Sequence, residues 1–270
     1  MFGNMSSRNS KSVYFFYIRF SSMGKIFHDF GVYLILLGRM FSKPEKPRMY
    51  WKETFRQMHD IGIGSLTVIA IVATFIGAVT AVQFSYQLRG IGLVPMWWVG
   101  AIVRKSLILE MAPTLTALLL AGKVGSNIAS ELGSMRTSEQ IDAYEIMGVN
   151  TSSYLIAPKI IASIVVIPML VIISVFLGII GGWAAGVLGH FYSTAEYVRG
   201  VQDYMKNWDL VVMLIKALLF SFAISSVSCF KGYTVKGGAL EIGKASTQAV
   251  VLSSIVVIII NFFVAFLLLD

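Results

Sequence analysis

Two ionisable residues stand inside stretches that are otherwise apolar: Glu110 within 106–122 and Lys216 within 210–230. A charge inside a membrane-length apolar segment costs roughly 2.5–3.5 kcal/mol on insertion scales, so its presence points to a partner or to a function. With segment boundaries near Arg104 and Asp209, Glu110 lies six residues into its helix and Lys216 seven into its own. At about 1.5 Å per residue, both sit roughly 9–10 Å below the same surface. Opposite charges at matching depth either pair and brace a helix bundle or line a polar pocket.

A second candidate is the polar stretch from Glu131 to Gly148. Thr137 followed by Gln140 predicts a capping box opening a helix over 137–148, which Gly148 closes. Ile141, Tyr144 and Met147 repeat at helical spacing, while Glu139, Asp142 and Glu145 fall on other faces. Such a helix either docks its acidic projections, with Arg136 and Gln140 beside them, into a soluble partner or is an ordinary solvated loop helix. Other chemistry finds little support. His28, His59 and His190 share no ligand spacing, and the single Cys229 excludes an intrachain disulfide or a multi-cysteine zinc site. His190 and Ser193, three apart, are too few groups for a hydrolase or acyltransferase. Gly238 to Ala245 matches a phosphate-binding loop except at Ala245, where Ser or Thr would hold Mg²⁺, and no strand is predicted before it. A tight turn is the reading adopted for it, with neither metal nor cofactor expected.

The elements that position these residues follow from composition. Hydrophobic residues make up 56% of the 270 and charged residues 13%, about half the charge of soluble domains, so the chain lacks the polar surface to live in water. Residues Ile61–Leu88, Ile160–Ala195 and Ala245–Leu269 contain no Asp, Glu, Lys or Arg and are long enough to cross an apolar core of about 30 Å. Ser106–Gly122 and Leu210–Phe230 qualify once their flanks are included. The prediction is an all-α integral membrane protein of about five transmembrane helices. Met23–Phe41, interrupted by Lys25, His28, Asp29 and Arg39, reads as an amphipathic helix at the interface, with a sixth span as the alternative. The apolar run Val13–Ile18 is too short for a signal peptide.

Lys and Arg outnumber Asp and Glu by 22 to 14, and their distribution orients the chain. Ten basic residues lie in 1–60, three in 123–159 and three in 231–244, against three in 89–105 and two in 190–208. A cytoplasmic N-terminus follows, with residues 1–60 as a basic segment and 61–270 as the transmembrane domain. Nothing favours nucleic acid. Gly178, Gly182 and Gly186 allow close helix approach within one subunit or at a dimer seam. Pro113 and Pro168 are expected to bend their helices and free carbonyls. Trp97-Trp98 is expected to anchor at the interface, or else to meet a partner or a lipid exit path.

Three stretches together resemble the MlaE/YrbE family, permeases of ABC transporters that move phospholipid in Gram-negative envelopes. They are Glu131–Gly148, Leu109-Glu110-Met-Ala-Pro113 running on to Ala121-Gly122-Lys123-Val-Gly125, and Phe230-Lys-Gly-Tyr233 running on to Ala245-Ser-Thr247. The resemblance covers roughly Met23 to the C-terminus. It implies a homodimer in the bacterial inner membrane with an outward-facing cavity for phospholipid. Glu110 and Lys216 would face a zwitterionic headgroup there, and the 137–148 helix would couple to a cytoplasmic ABC ATPase. An MCE-domain protein would exchange lipid on the periplasmic side. Any ATP hydrolysis would then belong to another chain. Two positions depart from the family pattern: Leu109, where Arg is frequent, and Asn261, where an acidic residue is common. Asn261 joins the cavity candidates on that basis. The competing reading is a secondary transporter or channel working alone.

Overall fold

The computed structural model describes residues 28–40, 47–91, 94–203 and 206–268. Those residues form helices and connecting turns, and five helices are long and apolar enough to span a membrane. We label them in chain order: α1, residues 28–40; α2, Pro47–Ile91; α3, Trp98–Thr137; α4, Gln140–Ile146; α5, Ser152–Leu188; α6, Thr194–Gln202; α7, Asn207–Tyr233; and α8, Ala239–Leu268. The spans are α2, α3, α5, α7 and α8. At about 1.5 Å per residue the described part of α1 covers some 20 Å. Residues 23–27 and 41 of the expected amphipathic helix lie outside the described residues. Two ends of the bundle are distinguished below as the α4 face, which also carries α1, and the α6 face.

Sequence patterning places the spans, but their ends extend further. The polar stretch 123–159 reads as a cytoplasmic loop between two spans, yet α3 continues through its first part to Thr137. Its charges find partners along the way. Lys123 Nζ donates to the Gly64 carbonyl of α2, and Glu131 meets Lys159 of α5 at 2.5 Å and Arg56 of α2 at 3.7 Å. A helix already propagating from the membrane needs only such satisfied side chains to run on.

Prolines shape the long helices. Pro113 has no N–H for the carbonyl of Leu109, and its ring crowds that turn. The helix widens into a π-turn over Leu107–Met111 just before it, as it does over Ser152–Ile156 before Pro158. Pro168, by contrast, sits inside α5 with helix on both sides.

The seam between α2 and α5 is the most extensively packed pair in the bundle, and small residues make it. A Cβ at Gly77 would strike the backbone of Gly178, and one at Gly181 the backbone of Thr74. Gly182 and Gly186 receive the Tyr197 and Tyr192 rings from the α6 side. The glycine spacing on α5 therefore serves packing within one subunit.

On the α6 face, Ser193 and Glu196 form a capping box that starts α6, and these hydrogen bonds hold the Glu196 carboxyl below its ordinary range. Arg104, almost fully buried, donates to the Val201 and Asp203 carbonyls at the far end of α6. Trp97 lies under the Arg199 guanidinium, 5.4 Å from ring centre, while Trp98 remains partly exposed.

Replacing Gly181 by Leu must push α2 from α5. By analogy with overpacking of about 1–3 kcal/mol, its melting temperature in detergent is expected to fall by roughly 5–10 °C. Gly243→Ala, where a Cβ meets open space, should leave it within about 2 °C.

Candidate functional site

Glu110, Lys216 and Asn261 come together from three helices. The Pro113-associated π-turn of α3 carries Glu110 and leaves the Leu109 carbonyl turned to α7. Lys216 has no exposed side-chain surface. Its Nζ lies 2.8 Å from Glu110 Oε2 and 2.8 Å from the Leu109 oxygen. The ammonium thus replaces the N–H that Pro113 cannot supply and gains a counterion in the same place. Asn261 Nδ2 of α8 donates to the other carboxylate oxygen, Glu110 Oε1, which Thr114 Oγ1 also approaches at 3.5 Å.

The pair is asymmetric. Lys216 is sealed inside, whereas the Glu110 side chain keeps 45% of its surface exposed. Lys216 accordingly positions Glu110 and does not itself reach the surface of the subunit. Asn261 is forced into its orientation, because rotating the amide would set oxygen against carboxylate. Its Oδ1 is buried with no partner among the described residues. Beside Asn261 the exposed side of α8 is apolar, with Val251, Ile255, Ile258, Phe262 and Phe266 spaced along one stripe. The arrangement can present a carboxylate edge, backed by a fixed cation, to hydrogen-bond donors at the margin of an apolar surface.

On the α4 face the expected helix forms, but its start differs from the expected capping box. Thr137 Oγ1 bonds back to Ser134 and ends α3, and Glu139 takes a left-handed conformation at φ 58° to turn the chain into α4. Gly148, at φ 80°, closes the helix as expected. The acidic residues divide. Asp142 pairs with Arg136 at 2.6 Å, and Glu145 accepts from the Tyr233 and Thr151 hydroxyls at 2.9 and 3.1 Å. Glu139 and Gln140 are exposed. Ile141 is buried in the core, and the Tyr144 ring meets that of Tyr154 at a tilt of 59°.

The end of α4 also presents apolar surface: Ile146 is 88% exposed and Met147, just after it, 66%. Met147 was expected on the inward face with Ile141, and Ile146 carried no expectation. The available signal was two large apolar residues directly before the closing glycine, one turn past the buried face. Sequence reasoning also passed over Lys159, which is nearly buried against Glu131 and ties α5 to α3.

Two sequence candidates resolve into structure. The Ser193 hydroxyl is engaged with Glu196 at 2.9 Å. The Gly238–Ala245 segment is the entry to α8, where Lys244 pairs with Glu241 on the same helix at 2.6 Å.

Comparison with known proteins gives the same order of helices a family. The sequence profile described as Permease MlaE matches residues 54–267. A probable ABC transporter permease protein of Rickettsia prowazekii is 34% identical over 240 residues, covering 89% of this chain and 92% of that protein. A probable ABC transporter permease protein of Synechocystis is 33% identical, covering 86% and 88%. The intermembrane phospholipid transport system permease protein MlaE of Haemophilus influenzae is 32% identical, covering 90% and 94%. The profile match over nearly the whole spanning region, on a chain with five candidate spans, places it in the MlaE permease family as a membrane-spanning permease subunit.

Proposed function

We propose that this chain is the permease of an ABC system that moves phospholipid, with Glu110 as its headgroup-contacting residue. The observation that carries the reading is the Glu110 carboxylate, fixed by Lys216 and Asn261 yet half exposed beside the apolar stripe of α8. A headgroup bearing N–H or O–H donors can bond the carboxylate edge while acyl chains lie on Ile255, Ile258 and Phe262. The name of the Haemophilus relative supports phospholipid as the cargo.

In this reading two copies face each other across a cavity that opens outward, and the α8 stripes contribute to its wall. The α4 face is cytoplasmic in the inner membrane, in keeping with the excess of basic residues before residue 60. The Ile146–Met147 knob, not the acidic side chains, seats in a groove of a separate ABC ATPase. Asp142 and Glu145 instead hold α4 to α3 and α7 through Arg136 and Tyr233. A motion imposed on the knob therefore reaches α7, the helix that carries Lys216. Closure of the ATPase pair on ATP biases the bundle between two packings. An MCE-domain protein on the α6 face completes the route for lipid.

Affinity purification in mild detergent, followed by mass spectrometry of proteins and lipids, tests the reading. An ABC ATPase and phospholipid are expected to co-purify, and Ile146→Asp combined with Met147→Asp should remove the ATPase while leaving the chain in the membrane. Recovery of the chain alone, with gradient-driven uptake in liposomes, would replace the reading with a secondary transporter. Glu110→Gln keeps an acceptor for Lys216 but loses the charge. Lipid transport is expected to drop roughly tenfold, as for a lost charge-assisted hydrogen bond of about 1.5 kcal/mol, at normal protein levels. Transport at the wild-type rate would reduce the pair to a structural brace.

A further inference from the structure

On the α4 face, α1 and the end of α7 enclose a cavity of about 590 Å³, within the roughly 300–1,000 Å³ of small-molecule sites. Val32, Ile35, Leu36 and Arg39 fall on one face of α1, spaced as i, i+3, i+4 and i+7, and all four line it. Across from them α7 and the turn after it bring Phe230, Lys231 and Lys236. The wall mixes apolar side chains with four cationic ones, Arg39, Arg136, Lys231 and Lys236.

The charges do not cancel. Arg39, Lys231 and Lys236 have no carboxylate partner among the described residues. Arg136, a fourth cation in the lining, is occupied by Asp142, and Asp29 is the one carboxylate in the described wall. Three like charges around one cavity repel unless an anion joins them.

The surroundings select the kind of anion. Phe30, Leu34 and Ile35 of α1 are each more than half exposed, an unpartnered apolar face suited to the surface of a bilayer. Ile35 belongs to that face and to the cavity lining at once, so the cavity opens onto the apolar face with its cations beside it. We propose that it holds an anionic phospholipid of the adjoining leaflet as a resident lipid, distinct from the cargo. Its phosphate bridges Arg39 to Lys231 and Lys236, and its chains leave over Val32 and Ile35. The leaflet is cytoplasmic insofar as the α4 face is, which rests on the reading above.

Occupancy reaches the docking helix by two contacts. Tyr233 lines the cavity and donates to Glu145 of α4 at 2.9 Å, and Asn150, just past α4, donates to the Arg39 carbonyl at 3.0 Å. A lipid clamping α1 to α7 therefore stiffens the base on which the Ile146–Met147 knob stands.

Native mass spectrometry of the purified full-length protein, titrated with phosphatidylglycerol or phosphatidylcholine, tests the proposal. Wild type should retain phosphatidylglycerol in preference to phosphatidylcholine. The triple variant Arg39→Gln, Lys231→Gln, Lys236→Gln should bind phosphatidylglycerol roughly a hundredfold more weakly, at about 1 kcal/mol per basic residue. Lys236→Gln alone, at an exposed position, should lose about fivefold and keeps the test informative if the triple variant folds poorly. A control removing Lys52, Lys105 and Lys206, all exposed outside the cavity, should bind as wild type.

Glu110→Gln should retain this binding, which separates the resident site from the transport cavity. Equal phosphatidylglycerol binding by wild type and the triple variant would overturn the proposal. So would equal binding of phosphatidylcholine, or full competition by sn-glycerol 3-phosphate. Labelling of a Ser138→Cys variant from outside, with the binding pattern intact, would overturn the cytoplasmic leaflet while the anion site stood.

Discussion

An ammonium group with no exposed surface has to be held by acceptors the protein supplies, and in this bundle two of them come from a single turn of α3. Pro113 makes one available by leaving the Leu109 carbonyl without its helical donor, and Glu110 next to it supplies the counterion. The widened turn, the proline, the lysine and the carboxylate are thus one structural unit. Asn261 closes that unit from α8. Any movement of α7 relative to α3 has to carry this pair along or break it. The carboxylate a cargo could meet is therefore also where three spans are fastened together.

The rest of the bundle sets how far those spans can move. Glycine contacts lock α2 to α5 backbone against backbone, and Lys159–Glu131 with Arg56 ties both to α3 near the α4 face. Helix α8 is different: over its 30 residues only Ala249, Ser253, Val257 and Val264 are buried within the subunit. A rigid half and a loosely covered helix meet at Glu110.

Much of this was legible in the sequence, for physical reasons that can be named. Charge-free runs such as 61–88 and 160–195 have few outcomes other than spans. The matched depths of Glu110 and Lys216 followed from helical rise alone, and the two residues do pair. Less legible were the features set by neighbours. Residues 123–137 look like a loop because their polarity is read in isolation, yet Lys123 and Glu131 are satisfied by carbonyls and charges on other helices. The Thr137–Gln140 pattern has the spacing of a capping box, but Thr137 is drawn back into α3 and Glu139 makes the turn. Acidic residues on α4 are the expected docking surface; Asp142 pairs with Arg136 and Glu145 with Tyr233, while Glu139, Gln140, Ile146 and Met147 stay exposed. Helical spacing says which residues share a face, but the tertiary partners decide which face is buried.

The central claim is that Lys216 and Glu110 depend on one another. A double-mutant cycle measured by unfolding in detergent tests it, using Glu110→Leu, Lys216→Met and the two combined. Glu110→Leu strands a buried ammonium and should be the more damaging single change, because Glu110 left without Lys216 still has exposed surface. The combined variant should recover much of the loss, with a coupling energy of about 1–3 kcal/mol. Losses that simply add, with no coupling between the two positions, would contradict the account.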